Sequence, residues 1–161
     1  DIVSLDLSLL HKGLITDAAI TVGVGAIDDE ARQLIHVTKL ALEEGISMAI
    51  PGNTIGDIGY AISNFVKGSK FSIAEDLAGH GVGYKVHEEP FVPNFGARGK
   101  GVKLQAGMVI AIEPMLNTGS SAIKVQKDGY TIVTKDGGRS AHFEHSVAIT
   151  EKDHIILTSN D

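Results

Sequence analysis

An α+β fold is predicted by the order of the hydrophobic patterns along the chain. Two alternating apolar runs come first, two helical stripes follow, and short β-branched runs separated by glycine-bearing turns fill the chain after residue 70. Because strands and helices are segregated along the chain, the pattern favours α+β over an alternating βαβ sheet. No repeat or long linker interrupts the 161 residues, so we expect residues 1–161 to form one domain.

The amino-acid composition excludes several functional classes of protein. The chain carries 20 acidic and 14 basic residues, a formal net charge of −6, which argues against a nucleic-acid surface. No apolar run approaches the roughly 20 residues that a membrane span needs. The lack of cysteine in the sequence excludes a disulfide framework, a thiolate metal site and a thiol nucleophile. We therefore expect a soluble, cytoplasmic protein without a membrane partner.

The first two elements are predicted strands over residues 2–10 and 14–22, joined by a turn at residues 11–13. In the first of them, leucines alternate with polar residues such as Asp6 and Ser8. Mature domains rarely begin inside an apolar strand, because an unflanked edge strand invites misassociation. We therefore expect that upstream residues are missing from this chain.

Two helices are predicted next. Asp28 is a suitable N-cap for an amphipathic stripe that ends near Gly45, and Asn53 or Thr54 caps a second stripe that ends at Gly68. After that point the helical period disappears and only strand-like runs remain. These later predicted strands cover residues 86–92, 108–113, 122–126, 129–134, 143–149 and 154–157.

The first hairpin brings two carboxylates together. If Leu10 pairs with Gly13 across the turn, Asp6 lies directly opposite Asp17, with their Cβ atoms about 5 Å apart. Like charges facing each other destabilise a sheet unless a cation lies between them, and carboxylate oxygens are the ligands that divalent metals use. A pair of hydrated carboxylates on an exposed sheet face is the alternative.

Two histidines follow in unusual local contexts. His80 lies within the segment 78–83, where three glycines allow the backbone to approach a partner closely or to direct the imidazole. The glycine spacing does not match the dinucleotide-binding fingerprint. His87, beside the acidic pair at 88–89, fits a ligand, a general acid or an oxyanion stabiliser. A glycine-rich loop and a solvated surface turn are the alternatives for these two segments.

Glu113 and Glu144 each occur in an apolar, strand-like run. Ionising a buried carboxylate is costly, so each needs a metal or, as the alternative, a single salt bridge. The combined candidate metal ligands are Asp6, Asp17, His80, Glu113 and Glu144. Four carboxylates with one imidazole suit Mn, Fe, Co or Zn better than Ca or Mg, and suit two such ions close together.

These motifs resemble those of the methionine aminopeptidase family, in particular its shorter type I form, over essentially the whole chain. The resemblance rests on the segments Ser4-Leu-Asp6, Thr16-Asp17-Ala-Ala, Gly79-His80-Gly-Val-Gly, His87-Glu-Glu-Pro90, Ile112-Glu113-Pro114 and Phe143-Glu144-His145. It implies a pita-bread fold, in which two pseudo-symmetric halves enclose a dinuclear metal centre.

The resemblance also implies how the two divalent ions are held. Asp6 would bind one ion, while Asp17 and Glu144 would bridge both. His80 and Glu113 would complete the site of the other ion.

The same resemblance implies the reaction. A hydroxide at the dinuclear centre would attack the carbonyl of an N-terminal methionine, with Glu113 as the proton shuttle. His87 would contact the substrate carbonyl, and Tyr130 would contribute to substrate binding. The implied substrates are peptides and nascent chains, with a transient contact with the ribosome and no specific nucleic acid.

The sequence departs from the family in several places. Family members carry a long segment before the strand of Asp6, including part of the methionine pocket, and this sequence lacks it. His142 stands where glutamine is usual, and Tyr130 where tryptophan is often found. Two alternatives stay open: a proline-specific peptidase of the aminopeptidase P or prolidase type, and a catalytically incomplete pita-bread metal-binding module.

Overall fold

A computed structural model describes residues 1–74 and 76–159. Its helices are α1 (Asp29–Ser47) and α2 (Ile55–Val66), and neither helix in this described part is long and apolar enough to cross a membrane. The strands are β1 (Ile2–His11), β2 (Leu14–Gly23), β3 (Ser72–Ile73), β4 (Ala78–Gly81), β5 (Glu88–Pro93), β6 (Val109–Ile112), β7 (Met115–Asn117), β8 (Ile123–Val125), β9 (Ile132–Thr134), β10 (Ser140–His142), β11 (Glu144–Ile149) and β12 (His154–Ile156).

The element order confirms the predicted α+β class. The main sheet is antiparallel, in the order β1-β2-β11-β6-β4-β5, and β12 also pairs with β11. Two smaller sheets have the orders β10-β7-β3 and β8-β9. Each of the six later predicted strands has a counterpart in the structure. The short strands β3, β4, β7 and β10 were not predicted, because two to four residues are too few to show an alternating pattern.

Both predicted helix starts are confirmed. The Asp28 side chain accepts a hydrogen bond from a backbone N–H in the first turn of α1. Thr54 is the cap of α2, and its N–H and hydroxyl both donate to the carboxylate of Asp57. Helix α1 continues two residues past Gly45, and α2 ends two residues before Gly68.

The hydrophobic core lies between the two helices and one face of the main sheet. Ile112 of β6 approaches Gly45 of α1 and Ile62 of α2, where an added Cβ on Gly45 would lie 2.8 Å from Ile62 and 3.2 Å from Ile112. The core side chains on the helices include Leu34 and Ile58, which are fully buried. Strands β6 and β11 are therefore held firmly, and their residues on the opposite face are well placed to build a site.

The predicted opposition of Asp6 and Asp17 is wrong. The turn has two residues, Lys12-Gly13, which both have positive φ (49° and 84°), as a tight hairpin turn requires. The resulting register pairs Asp6 with Ala19 and Asp17 with Ser8. Because this register differs from the predicted one by two residues, both carboxylates stay on the same face of the sheet, in neighbouring positions.

Candidate metal centre

The antiparallel register brings the predicted metal ligands to one face of the main sheet in two rows. In the first row, Asp6 of β1 pairs with Ala19 of β2, which pairs with Glu144 of β11. Glu113 follows the last residue of β6, whose partner is His145, so it extends the same row beside Glu144. Three carboxylates from distant parts of the chain therefore share one line across the sheet.

The second row lies two residues along the strands. Asp17 on β2 and His80 on β4 lie at its two sides, and Ala111 pairs with both His80 and Ser146. The Ser146 hydroxyl accepts a hydrogen bond from the Asp17 N–H and donates one to the Asp17 carbonyl, both at 2.8 Å. Ser8 donates to the carboxylate of Asp17 at 3.0 Å. These contacts fix both the backbone and the side chain of Asp17.

The two rows meet in a compact group of ligand atoms. Asp17, His80 and Glu144 each offer one ligand atom, and these atoms all lie within 4.8 Å of one another. The three side chains are buried, although all of them are polar. Such a convergence of buried donors is the arrangement that a metal ion requires.

Glu113 lies between two imidazoles at the edge of this group. Its Oε1 is 3.3 Å from His80 Nε2, and its Oε2 is 3.3 Å from His142 Nε2. The Asn94 amide donates to the Glu113 carbonyl at 3.1 Å, which holds the backbone after β6 in place. The carboxylate thus joins the His80 side of the site to the His142 side.

The orientation of His80 suits a metal ligand. Its Nδ1 lies 3.0 Å from the carbonyl of the adjacent Gly81. A carbonyl can only accept, so this contact assigns the proton of the neutral ring to Nδ1 and leaves the lone pair on Nε2. Nε2 is the atom that faces Glu113. A metal-ligating histidine commonly donates the N–H of its other nitrogen to a carbonyl, as Nδ1 does here.

Asp6 differs from the other four candidates because its side chain is 58% exposed. Its Oδ2 lies 3.9 Å from His142 Nδ1, on the far side of that ring from Glu113. Burial raises the pKa of Asp6, and the His142 contact only partly offsets that effect. All five predicted ligands therefore lie around one site, with Asp6 at its open side.

The charges of the site favour the binding of a cation. Burial, reinforced by repulsion from Glu113, Asp17 and Asp6, raises the pKa of Glu144 to about 9. One oxygen of Glu144 is buried and has no hydrogen-bond partner within the described residues. Burial also opposes ionisation of Glu113, but contacts with His142 and His80 outweigh it and lower the pKa of that carboxylate. A divalent ion would neutralise the excess charge and satisfy the unpartnered oxygen, so the residues fit a metal.

His87 lies beside the metal group. Its ring makes an edge-on contact with the His80 ring, with the centroids 4.3 Å apart. Both histidines line a cavity of about 740 Å³, together with Lys85 and Phe91. The predicted substrate contact is thus adjacent to the predicted ligands.

Tyr130 lies elsewhere. It occupies the turn between β8 and β9, where its side chain is 88% exposed. It does not line the cavity that contains Asp6, His142 and the inner residues of that hairpin, within the part of the chain that the structure describes. The arrangement therefore brings His87 to the site and leaves Tyr130 outside it.

Sequence reasoning missed three residues that shape the site. Ser146 and Thr21 had no distinctive pattern, because buried hydroxyls that bond to neighbouring backbone look like ordinary strand residues. His142 did carry a signal, since it replaces the glutamine usual in the resembled family, two residues before Glu144.

A comparison with models of known protein families shows the family to which this chain belongs. A sequence model of metallopeptidase family M24 matches residues 1–151. The chain belongs to metallopeptidase family M24. The predicted metal ligands and the pairs of strands that carry them all fall inside the matched range.

Individual relatives of this M24 chain are methionine aminopeptidases. The chain is 49% identical to the methionine aminopeptidase of Clostridium perfringens and 44% identical to methionine aminopeptidase 1 of Bacillus subtilis, in each case over 98% of this chain and 64% of the relative. The solved methionine aminopeptidase of Thermotoga maritima superposes with a TM-score of 0.95 at 45% identity, covering 99% of this chain and 64% of that one. The M24 chain thus spans about 64% of the length of these relatives.

The fold is also found in a prolidase. The prolidase of Pyrococcus furiosus superposes with a TM-score of 0.75 at 24% identity, over 99% of this chain and 42% of that one. At this identity the likeness shows a common fold alone. These matches confirm the pita-bread fold that the sequence motifs imply.

Proposed function

We propose that this chain carries the catalytic centre of an aminopeptidase that removes N-terminal methionine from peptides and nascent chains. The observation that carries the proposal is the buried group formed by Asp17, His80 and Glu144, whose ligand atoms lie within 4.8 Å of one another. Its support from relatives is the 49% identity to a protein named methionine aminopeptidase. Likeness to prolidase is limited to the fold, so the proline-specific alternative has less support.

The proposed cofactor is a pair of divalent ions, drawn from Co, Mn, Fe and Zn. The mixture of carboxylates with imidazole favours these metals over Ca or Mg. When bound, the ions activate water at neutral pH and polarise the scissile carbonyl. The proposed ligands are Asp6, Asp17, His80, Glu113 and Glu144.

Glu113 is the proposed proton carrier. Contacts with His142 and His80 lower the pKa of Glu113 and favour its carboxylate form, which can accept a proton. Contacts with His80 and His142 hold its two oxygens in defined directions. The proton taken up from water would then pass to the amine of the departing peptide.

His87 is the proposed substrate contact. It lines the cavity beside His80, where a ring N–H can donate to the carbonyl oxygen of the substrate as negative charge develops there. The position of Tyr130 gives no support to its proposed role in substrate binding within residues 1–161.

The remaining proposals concern the context of the enzyme. We propose that residues 1–161 act as a single catalytic domain, that the protein works in the cytoplasm, and that it contacts the ribosome transiently. Removal of methionine from nascent chains would take place where those chains emerge. Pull-down of the purified chain with ribosomes tests this contact, and recovery no greater than in a sample without ribosomes would contradict it.

The activity test uses the purified chain and a Met-Ala-Ser peptide, with Mn²⁺ or Co²⁺ added and with a chelated sample as the reference. We expect methionine release that depends on metal and that falls at least roughly 100-fold in Glu113→Gln, because loss of a general base typically costs 10²- to 10⁴-fold. Glu151→Gln is the matched control, since Glu151 is exposed and belongs to the turn before β12.

Three results separate the candidates. Release from Met-Ala-Ser but not from Met-Pro-Ser supports the methionine aminopeptidase, and preference for the proline peptide supports the prolidase type. Bound metal without release from either peptide means that the chain is a metal-binding module. Neither metal nor release would overturn the proposed metal centre.

A further inference from the structure

His142 occupies an anchored position that the proposed mechanism does not use as a ligand. The Thr21 hydroxyl accepts a hydrogen bond from the His142 N–H at 2.8 Å and donates one to the His142 carbonyl at 2.9 Å. Ser4 shares a hydrogen bond of 2.8 Å with the same hydroxyl. Strands β1 and β2 therefore fix the backbone of β10 next to the metal group, and the His142 side chain is directed by that anchor.

Each ring nitrogen of His142 faces a carboxylate. Nε2 lies 3.3 Å from Glu113 Oε2, and Nδ1 lies 3.9 Å from Asp6 Oδ2. The side chain is only 12% exposed, and Nε2 is buried without a hydrogen bond to any group in the described chain. The nearer contact thus has the distance but not the direction of a hydrogen bond.

A neutral imidazole has one N–H and one lone pair. With carboxylates at both nitrogens, a neutral ring donates to only one of them, so the other contact needs either a second ring proton or a metal ion. At a site that already gathers candidate metal ligands, a metal ion can occupy this position between the lone pair and the carboxylate. A metal ion would also satisfy the unpartnered oxygen of Glu144.

We propose that His142 Nε2 is a sixth metal ligand of this site, binding an ion together with Glu113. The proposal rests on the metal centre proposed above. In this assignment Nδ1 keeps its proton and directs it at Asp6, as Nδ1 of His80 directs its proton at the Gly81 carbonyl. Ligation by His80 and His142 gives the centre two nitrogen donors.

A second imidazole changes which metals the site prefers. Imidazole favours Zn²⁺ and Co²⁺, whereas Mn²⁺ is satisfied by carboxylates and water. A glutamine at this position offers an amide oxygen, which is a poorer ligand for Zn²⁺. We therefore expect His142 to raise the affinity for Zn²⁺ more than the affinity for Mn²⁺.

The direct test needs no substitution. The full chain is loaded with Co²⁺, and proton NMR counts the strongly shifted, exchangeable imidazole N–H signals, which arise only from histidines bound to the ion. Two signals are the expected result, from His80 and His142. A single signal would overturn the proposal and leave His142 as a side chain that holds Glu113 by a hydrogen bond.

Substitution assigns the signals and measures the preference. His142→Gln should remove one shifted signal and lower the Zn²⁺ affinity roughly tenfold or more, with a smaller change for Mn²⁺, in titration calorimetry. His36→Gln is the matched control, because His36 is exposed on α1 and should leave both signals in place. Equal losses for Zn²⁺ and Mn²⁺, or an unchanged spectrum, would contradict ligation by His142.

The same samples distinguish this proposal from the proposed function. Wild-type chain that binds no Co²⁺ would overturn the metal centre and the His142 assignment together. Wild-type chain that binds Co²⁺, releases methionine and shows one shifted signal would overturn only the His142 assignment.

Discussion

The central strands of the main sheet and its first hairpin both contribute residues to the site, but they differ in how far they are packed against the rest of the molecule. Strands β6 and β11 are packed beneath the helices, and Ile112 and Val147 are fully buried. In the hairpin β1–β2, the corresponding face presents Leu5, Leu7 and Leu9, which are all exposed, Leu7 to 70%. One wall of the site is therefore rigid, whereas the other depends on hydrogen bonds to its neighbours.

The proposed metal ligands show the same contrast. Glu113 and Glu144 come from the packed strands and are buried, whereas Asp6 comes from the edge strand and is mostly exposed. Asp17 belongs to the hairpin but is buried, because Ser146 of β11 holds its backbone. We conclude that attachment to β11, more than membership of a particular hairpin, determines how firmly a ligand is placed.

The largest expected effect is a loss of stability, and it compares the packing of the two regions directly. Leu34→Ala in α1 should lower the free energy of unfolding by about 2–5 kcal/mol, because it leaves a cavity in the core. Leu7→Ala in the hairpin should change it by less than about 0.5 kcal/mol, since its side chain is exposed. Urea unfolding of both variants measures the difference, and similar losses would mean that the hairpin face is covered in solution.

Among the ligands, Asp17→Asn should have the greatest effect. It removes a carboxylate oxygen from the buried group, so we expect metal affinity to fall by more than roughly 100-fold, beyond the 10- to 100-fold typical of residues that only orient ligands. Titration calorimetry with Zn²⁺ measures the change. Asp29→Asn is the control, because Asp29 is exposed at the start of α1. A comparable loss of metal affinity in this variant would show that the loss reflects the net charge of the protein and not the position of Asp17.

Asp6→Asn should have a smaller effect of a different kind. Because Asp6 lies at the open side of the site, we expect the variant to retain one tightly bound ion and to lose the second, with roughly tenfold weaker overall binding. Metal analysis after gel filtration counts the ions. Loss of both ions in this variant would show that the open side is as important as the buried group.

A pH dependence should appear when the metal is removed. The pKa of Glu144 is raised to about 9 from its ordinary 4.5, so between these values the folded chain holds a proton that the unfolded chain has released. Stability should therefore fall as pH rises from about 5 to 9, by no more than about 1.4 kcal/mol per pH unit.

Urea unfolding in the presence of a chelator measures this slope. Bound metal should abolish it, since the ion takes the place of the proton. Glu144→Gln should reduce the slope, because the amide does not titrate, and should leave only the part due to the raised pKa values of Asp6 and His80. An unchanged slope in Glu144→Gln would assign the dependence to those other groups. The lowered pKa of Glu113 changes the stability only below about pH 4.5, so it does not oppose the expected fall in stability at higher pH.

The sequence predicted the identities of the site residues better than their arrangement. Asp6, Asp17, His80, Glu113 and Glu144 were recognised because each is a polar residue in an apolar or glycine-rich setting, and all five lie around one site. The convergence itself depends on long-range pairing, which local patterns do not encode.

The hairpin register shows where the sequence-based argument fails. The predicted register depended on which two residues form the turn. The turn includes Lys12 with a positive φ, which is unusual for a residue other than glycine and so is hard to predict from the sequence. His142 illustrates the same limit, because its proximity to Glu113 follows from the pairing of β10 with β7 and from the Thr21 anchor. The unusual identity of His142 is visible in the sequence, but its contact with Glu113 and the hairpin register are not.

The buried group formed by Asp17, His80 and Glu144 should bind the proposed metal ions. A crystal structure of the chain loaded with Zn²⁺, with anomalous data at the zinc edge, tests it most directly. We expect two peaks about 3.5–4 Å apart, one of them within bonding distance of His80. Peaks only at exposed histidines, or no peak between Asp17, His80 and Glu144, would contradict it.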